Sequence, residues 1–277
     1  MPQFLHMTHD LDDSEIASAI DQVSLWSARF GLFLFSHLEL RPNLRILDLA
    51  CGTGFPLFEL AQMHGASCQV TGVDIWKQAI ERARWKANTL QSSNVEIVEA
   101  DATQLPFEDG TFDLIVSNLG VNNFPDPDAT LAECFRVSKP GTRLVLTTNP
   151  TGHMAEFYEL FRQTLLELHK PVYLERLQAH EAHRGTKESL GDLLEAAGFR
   201  VTRIREDQFY LRYLDGSAFF SHFLTQVGFL ESWRRVVDQE DEERVFTLLE
   251  NRLNLRAHAD GELRLTVPML YLEGEKP

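Results

Sequence analysis

The stretch from Ile46 to Pro56, I-L-D-L-A-C-G-T-G-F-P, constrains this chain more than any other. Ile46, Leu47 and Leu49 form an apolar run suited to a buried strand. Ala50, Cys51, Gly52, Thr53 and Gly54 break that run with small residues. Leu57, Phe58, Leu60 and Ala61 then follow at helical spacing. Strand, glycine-rich turn and helix in this order make a nucleotide-handling unit. Glycine permits the tight turn and lets backbone approach a ligand closely. The first helical N–H groups have no intrahelical partner and face an electron-rich ligand. Spacing narrows the choice of ligand. A dinucleotide fingerprint reads G-x-G-x-x-G/A. Gly52 and Gly54 satisfy it, but Leu57 stands at the third position, where its bulk opposes close helix–strand packing. No Gly-Lys-Ser/Thr follows, so the loop is not a Walker loop. What remains is D-x-A-x-G-x-G, from Asp48 to Gly54.

Further strands follow in register with this unit. Cys68 to Ile75 is a short second strand ending at Asp74, twenty residues past Gly54. A carboxylate there reaches the ribose hydroxyls of a bound nucleotide and can accept both of their protons. The same residue could instead cap the helix that begins at Trp76. Val95 to Glu99 is a third strand, followed by Ala100, Asp101 and Ala102. Phe112 to Ser117 is a fourth, opening into the loop Asn118 to Pro127. That loop leaves the carboxyl end of a central strand, where open α/β sheets bind ligands. Asn118, Asn122 and Asn123 offer neutral hydrogen-bonding groups there, although asparagine also favours turns for local reasons. A helix then leads through Lys139-Pro140-Gly141 to a fifth strand. The alternation of strands and helices predicts a doubly wound, mostly parallel α/β sheet.

The D-x-A-x-G-x-G stretch resembles the first motif of the Rossmann-like class I S-adenosylmethionine-dependent methyltransferases, with Ala50 in place of the usual first glycine. L-P-F-E-D-G-T-F-D-L-I-V-S, from Leu105 to Ser117, resembles the type-11 methyltransferase domain, as does R-V-S-K-P-G-T-R-L-V-L, from Arg136 to Leu146. The resemblance covers roughly Leu44 to Asn149. It implies a seven-stranded sheet whose last strand is antiparallel, with S-adenosylmethionine as cofactor and S-adenosylhomocysteine as product. It implies a cofactor site of Asp48, Ala50, Cys51, Gly52, Gly54, Asp74 and Ile75. It adds Asp101, which accepts the adenine amino proton, with the Ala102 N–H beside the ring. Asn118 and Leu119 then lie near the methionine part. The reaction it implies is direct displacement onto a small-molecule acceptor, with no metal and no assigned catalytic residue. Two rivals stay open: a non-catalytic cofactor-binding or regulatory protein of the same fold, and an NAD-dependent oxidoreductase, against which Leu57 counts.

The net charge of −15 argues against a nucleic-acid partner, since phosphate binding needs a basic face. Cys51, Cys68 and Cys134 form no C-x-x-C pair, which points to a reducing compartment. The first residues, M-P-Q-F-L-H-M-T-H-D, carry no signal-peptide pattern, and no 18-residue apolar run exists, so the expected setting is the cytoplasm without a membrane span. Oligomeric state is not legible. The chain reads as one methyltransferase domain over 1–277: a helical cap at 14–40, the cofactor core at 44–149, and a substrate-side half at 150–277 with a helical insertion at about 216–258. Residues 1–13 show no period and are expected to be mobile. Two aromatic segments, Ser24 to Phe35 and Gly216 to Trp233, either roof the cleft or fill an ordinary core. As a roof they would bring Trp26, Phe30 and Phe223, with Asn123 from the loop, to the acceptor. Phe55 is a further candidate lining residue.

Overall fold

Residues 2–22 and 25–277 are described in this computed structural model of the protein. Val23, which the sequence pattern groups with Ile16 and Ile20, and Ser24 lie outside the described residues. Seven strands form: β1 (Arg45–Leu49), β2 (Gln69–Asp74), β3 (Val95–Glu99), β4 (Phe112–Asn118), β5 (Ser138–Thr148), β6 (Arg200–Tyr213) and β7 (Leu263–Glu275). They lie in one sheet in the order β3-β2-β1-β4-β5-β7-β6. β1 is parallel to β2 and β4, β2 to β3, and β4 to β5, while β7 runs antiparallel to β5. The expected doubly wound sheet with an antiparallel last strand is the one formed. β1 and β4 are apolar on both faces because helices cover both faces of a parallel sheet. β3 and β6 are the edge strands and remain half exposed. Pro268, expected at an edge or bulge, falls just before the ladder with β5, which starts at Leu270.

The chain divides into two compact units. One comprises Leu11–Asn149, Gly185–Glu206 and Met269–Pro277. It holds helices α1 (Ser14–Gln22), α2 (Leu25–His37), α3 (Leu57–His64), α4 (Lys77–Leu90) and α5 (Pro127–Val137). Its core includes Leu47, Leu49, Phe112, Ile115, Leu131, Leu144 and Leu270. The strand order reverses between β1 and β4, and such a switch point opens a crevice at the carboxyl ends of those strands.

The other unit comprises Met1–Asp10, Pro150–Arg184 and Asp207–Pro268. The sequence reading treats the chain as a single domain with an insertion. The structure groups that insertion with the N-terminus and the segment after β5. Helices α6 (Ala155–Leu166) and α7 (Pro171–Ala182) pack here with the long helix Gln239–Asp260. That helix buries Val245, Phe246, Leu249, Leu253 and Ala257 along one stripe and ends at Gly261, whose φ is 85°. Phe157, Phe161, Phe219, Phe220, Trp233 and Phe246 fill the core. Phe4 stacks on Phe220 with centroids 4.3 Å apart, so the N-terminus, expected to be mobile, carries a core residue.

Candidate functional site

β1 delivers the chain to a turn that only small residues can make. Ala50 has φ 60°, Gly52 φ 52° and Gly54 φ 102°. Ala50 holds a left-handed conformation that costs an L-residue about 1–2 kcal/mol. A Cβ on Gly54 would meet the Phe58 ring at 2.2 Å. Leu57, too large for a dinucleotide fingerprint, is accommodated by Gly72 of β2, where a Cβ would come within 2.7 Å of Leu57 Cδ2. The close helix–strand contact is kept, with the glycine supplied by the neighbouring strand.

Asp74, at the carboxyl end of β2, ties this turn to the next helix. Its Oδ2 accepts from Gly52 N and its Oδ1 from Trp76 N, both at 2.8 Å. Oδ1 thus holds the residue before α4 (Lys77–Leu90), whose start has no side-chain cap, and Oδ2 braces the glycine turn, so Asp74 is not the cap of that helix. Asp101, past β3, is exposed; its Oδ1 accepts from Thr103 N and Thr103 Oγ1, each at 2.8 Å. The Thr103 amide, then its hydroxyl, hold the Asp101 carboxyl below its ordinary range. Its Oδ2 has no partner among the described residues. At the end of β4, Asn118 Oδ1 accepts from Thr147 Oγ1 at 2.7 Å while its Nδ2 donates to Ser27 O at 3.3 Å. Leu119 follows at φ 67°, and Asn123 Nδ2 donates back to Leu119 O at 3.1 Å. Asn122 bonds Asn149.

These groups border one cavity of about 640 Å³, within the sheet unit. Of the sequence-derived candidates, Ala50, Cys51, Gly52, Asp74, Ile75, Asp101, Ala102, Asn118, Leu119 and Asn123 line it, as does Phe55. Asp48, Gly54, Trp26, Phe30 and Phe223 are not among its lining residues. Asp48 is wholly buried, and neither of its oxygens has a hydrogen-bond partner of good geometry. Burial, then the charge of Asp74, push its carboxyl well up, and the Leu57 amide pulls the other way to a lesser extent. The fold thus disfavours the charged form of Asp48 beneath the turn. Phe30 is core, Trp26 packs 5.2 Å from it, and Phe223 stands edge-on to His9 at 5.1 Å in the helical unit. Burial, then Asp48 and Asp74, also raise the Cys51 thiol, which keeps its proton.

The sequence reading missed Asp21, Thr53, Trp76 and Lys86, which line the same cavity. Thr53 lies inside the glycine turn and Trp76 two residues past Asp74, so adjacency could have found both. Arg82 and Lys86 share a face of α4 at i and i+4, but nothing in the sequence says that Asp21 of α1 faces them.

The crevice suits a nucleoside carrying an amino-acid tail. Asp101 Oδ2 and the remaining lone pairs of Asp74 are acceptors for hydroxyl or amino protons. The volume falls inside the range of about 300–1,000 Å³ for small-ligand sites. A family profile described as a methyltransferase domain matches residues 40–198, more than half of the chain. The demethylmenaquinone methyltransferase of Lactococcus lactis is 30% identical over 232 residues, which are 80% of this chain and 88% of that protein. The structure of a SAM dependent methyltransferase from Aquifex aeolicus has the same fold, with a TM-score of 0.55 at 23% identity over 69% of this chain and 91% of that one. Phosphoethanolamine N-methyltransferase 2 of Haemonchus contortus, solved with S-adenosylhomocysteine, has a TM-score of 0.54 at 18% identity over 90% of this chain and 52% of its own. Sheet order, glycine turn, profile and relative agree, and the chain belongs to the methyltransferase-domain family, the class I S-adenosylmethionine-dependent methyltransferases.

Proposed function

We propose that the cavity of the sheet unit holds S-adenosylmethionine and that the enzyme methylates a small, apolar acceptor. The observation that carries this is the convergence of Asp74 and Asp101 on one crevice at the carboxyl ends of β2 and β3. Asp74 would take the ribose hydroxyls, Asp101 the adenine amino group, and Asn118 with Leu119 the methionine end. The bound cofactor supplies a methyl group already activated on a sulfonium. The protein's part is to fix the acceptor in line and keep water away. Gly52 N and Trp76 N preset the Asp74 carboxylate, so little reorganisation accompanies binding.

The lining carboxylates are Asp21, Asp74 and Asp101, and each already accepts bonds from the protein. With the Cys51 thiol protonated, no strong base lines the cavity among the described residues. An acceptor atom that is nucleophilic without one suits this site. Ile20, Phe55, Phe124 and Pro125 give the cavity apolar wall. Demethylmenaquinone, named in the Lactococcus relative, is therefore the first acceptor to test, in its reduced hydroquinone form, whose electron-rich ring can take the methyl group and release a ring proton where the oxidised quinone cannot. Incubation with methyl-labelled cofactor and a panel of reduced quinones, lipids and polar amines should move label into an apolar product. Cofactor binding without transfer to any acceptor would favour the non-catalytic alternative, and transfer to polar amines alone would refute the apolar acceptor.

A further inference from the structure

We propose that Asp21 is a positioning residue that latches helix α1 against the cofactor cavity, so that it governs how fast the cofactor and its product leave. The gating half of this inference rests on the function proposed above. The described part of helix α1, Ser14–Gln22, buries only Ala17. The apolar packing of this part adds little. The hydrogen bonds that Asp21 makes through its side chain all go outside α1. Local helix physics gives no reason for an acid here.

The tertiary contacts do. The Asp21 side chain is only 13% exposed. Its Oδ1 accepts from Lys86 Nζ at 2.7 Å and Thr53 Oγ1 at 3.0 Å, and its Oδ2 accepts from Arg82 Nε at 3.0 Å. Burial pushes this carboxyl up, but Lys86, then Arg82 and Thr53, outweigh burial and leave it below its ordinary range. One carboxylate thus joins α1 to α4 and to the glycine turn. Ile20, Asp21, Thr53 and Lys86 all line the cavity, so the cluster is part of its wall. Thr53 follows Gly52, whose amide is held by Asp74. A second tie lies upstream, where Trp76 Nε1 donates to Leu11 O at 2.9 Å. Closing α1 and ordering the cofactor turn are therefore linked through adjacent residues, and a ligand that orders the turn favours the latched state.

The test uses the full-length protein, with Asp21→Ala, Asp21→Glu and an independent Lys86→Gln variant in case the first fails to fold. Hydrogen exchange of the α1 amides needs no ligand. Loss of a charge-assisted bond should speed it by about tenfold or more in Asp21→Ala and Lys86→Gln, with partial rescue in Asp21→Glu. Stopped-flow release of S-adenosylhomocysteine should quicken by a similar factor, and in the wild type it should quicken with added salt. Unchanged α1 exchange in the folded variants overturns the latch whatever the ligand does. Faster exchange with unchanged release overturns the gating. A wild type that binds no S-adenosylhomocysteine overturns the proposed function, and with it the gating, and is recognised by being independent of the variants.

Discussion

Asp74 uses one lone pair on each oxygen for the protein, at Gly52 N and Trp76 N, and keeps the others toward the cavity. Replacing it removes both sets. Asp74→Ala should weaken S-adenosylhomocysteine by about 1.5–3 kcal/mol, roughly one to two decades in affinity by calorimetry. Unchanged affinity would leave Asp74 as a fastener of the turn alone. Asp48 makes the opposite case, an acid whose charged form the fold disfavours. Its carboxyl is raised in the native state by burial, while in the unfolded chain it returns to about its ordinary 3.8. Between those two values the native state holds the proton that the unfolded state has released, so stability falls as pH rises. Asp48→Asn removes this loss, and its stability relative to wild type should improve from pH 4 towards neutrality in urea titrations. Parallel pH dependences would show that Asp48 ionises freely. The glycine turn, Asp74 and Asp101 were legible because close backbone approach and hydroxyl capture demand particular residue types at fixed distances from strand ends. The inward placement of Asp48 was not, because the motif gives no direction for a strand side chain that ends beneath its own turn.

At the scale of elements, the aromatic segments separate into different roles. Ser27 of α2 lines the cavity, whereas Phe30, Phe33 and Leu34 of the same helix are buried core. Phe219, Phe220 and Trp233 are wholly buried among Phe157, Phe161 and Phe246. Trp233→Ala and Phe220→Ala should therefore cost about 3–5 kcal/mol each in chemical denaturation. Losses below about 1 kcal/mol would mean that these rings bound open space instead of core. Composition could not distinguish lining from core, since both use the same rings. What decides is the facing element, here α6 and the N-terminal Phe4, and a pair of apolar residues in a polar stretch announces no helix. The strands were legible for the converse reason: apolar runs bounded by turn residues have few alternatives in a covered parallel sheet.

For the whole molecule, a ligand that binds only the folded chain must stabilise it. S-adenosylhomocysteine at a hundred times its dissociation constant should add about 2.7 kcal/mol, read as a rise in melting temperature that grows with ligand concentration. No rise across that range would leave the folded chain without this ligand. The site as a whole was only partly predictable. Its strand ends, acids and small residues lie in Ile46 to Leu119, where spacing along the chain determines proximity. Asp21 comes from α1, outside that stretch, and only docking of α1 on α4 brings it to the wall. Under the proposed function this crevice takes S-adenosylmethionine and not a dinucleotide, with Gly72 rather than a third loop glycine making room beside Leu57. Parallel calorimetric titrations of the wild-type protein with S-adenosylhomocysteine and NAD test it most directly. One S-adenosylhomocysteine per chain and no heat from NAD are expected, and saturable NAD binding with no S-adenosylhomocysteine signal would overturn the assignment of this crevice.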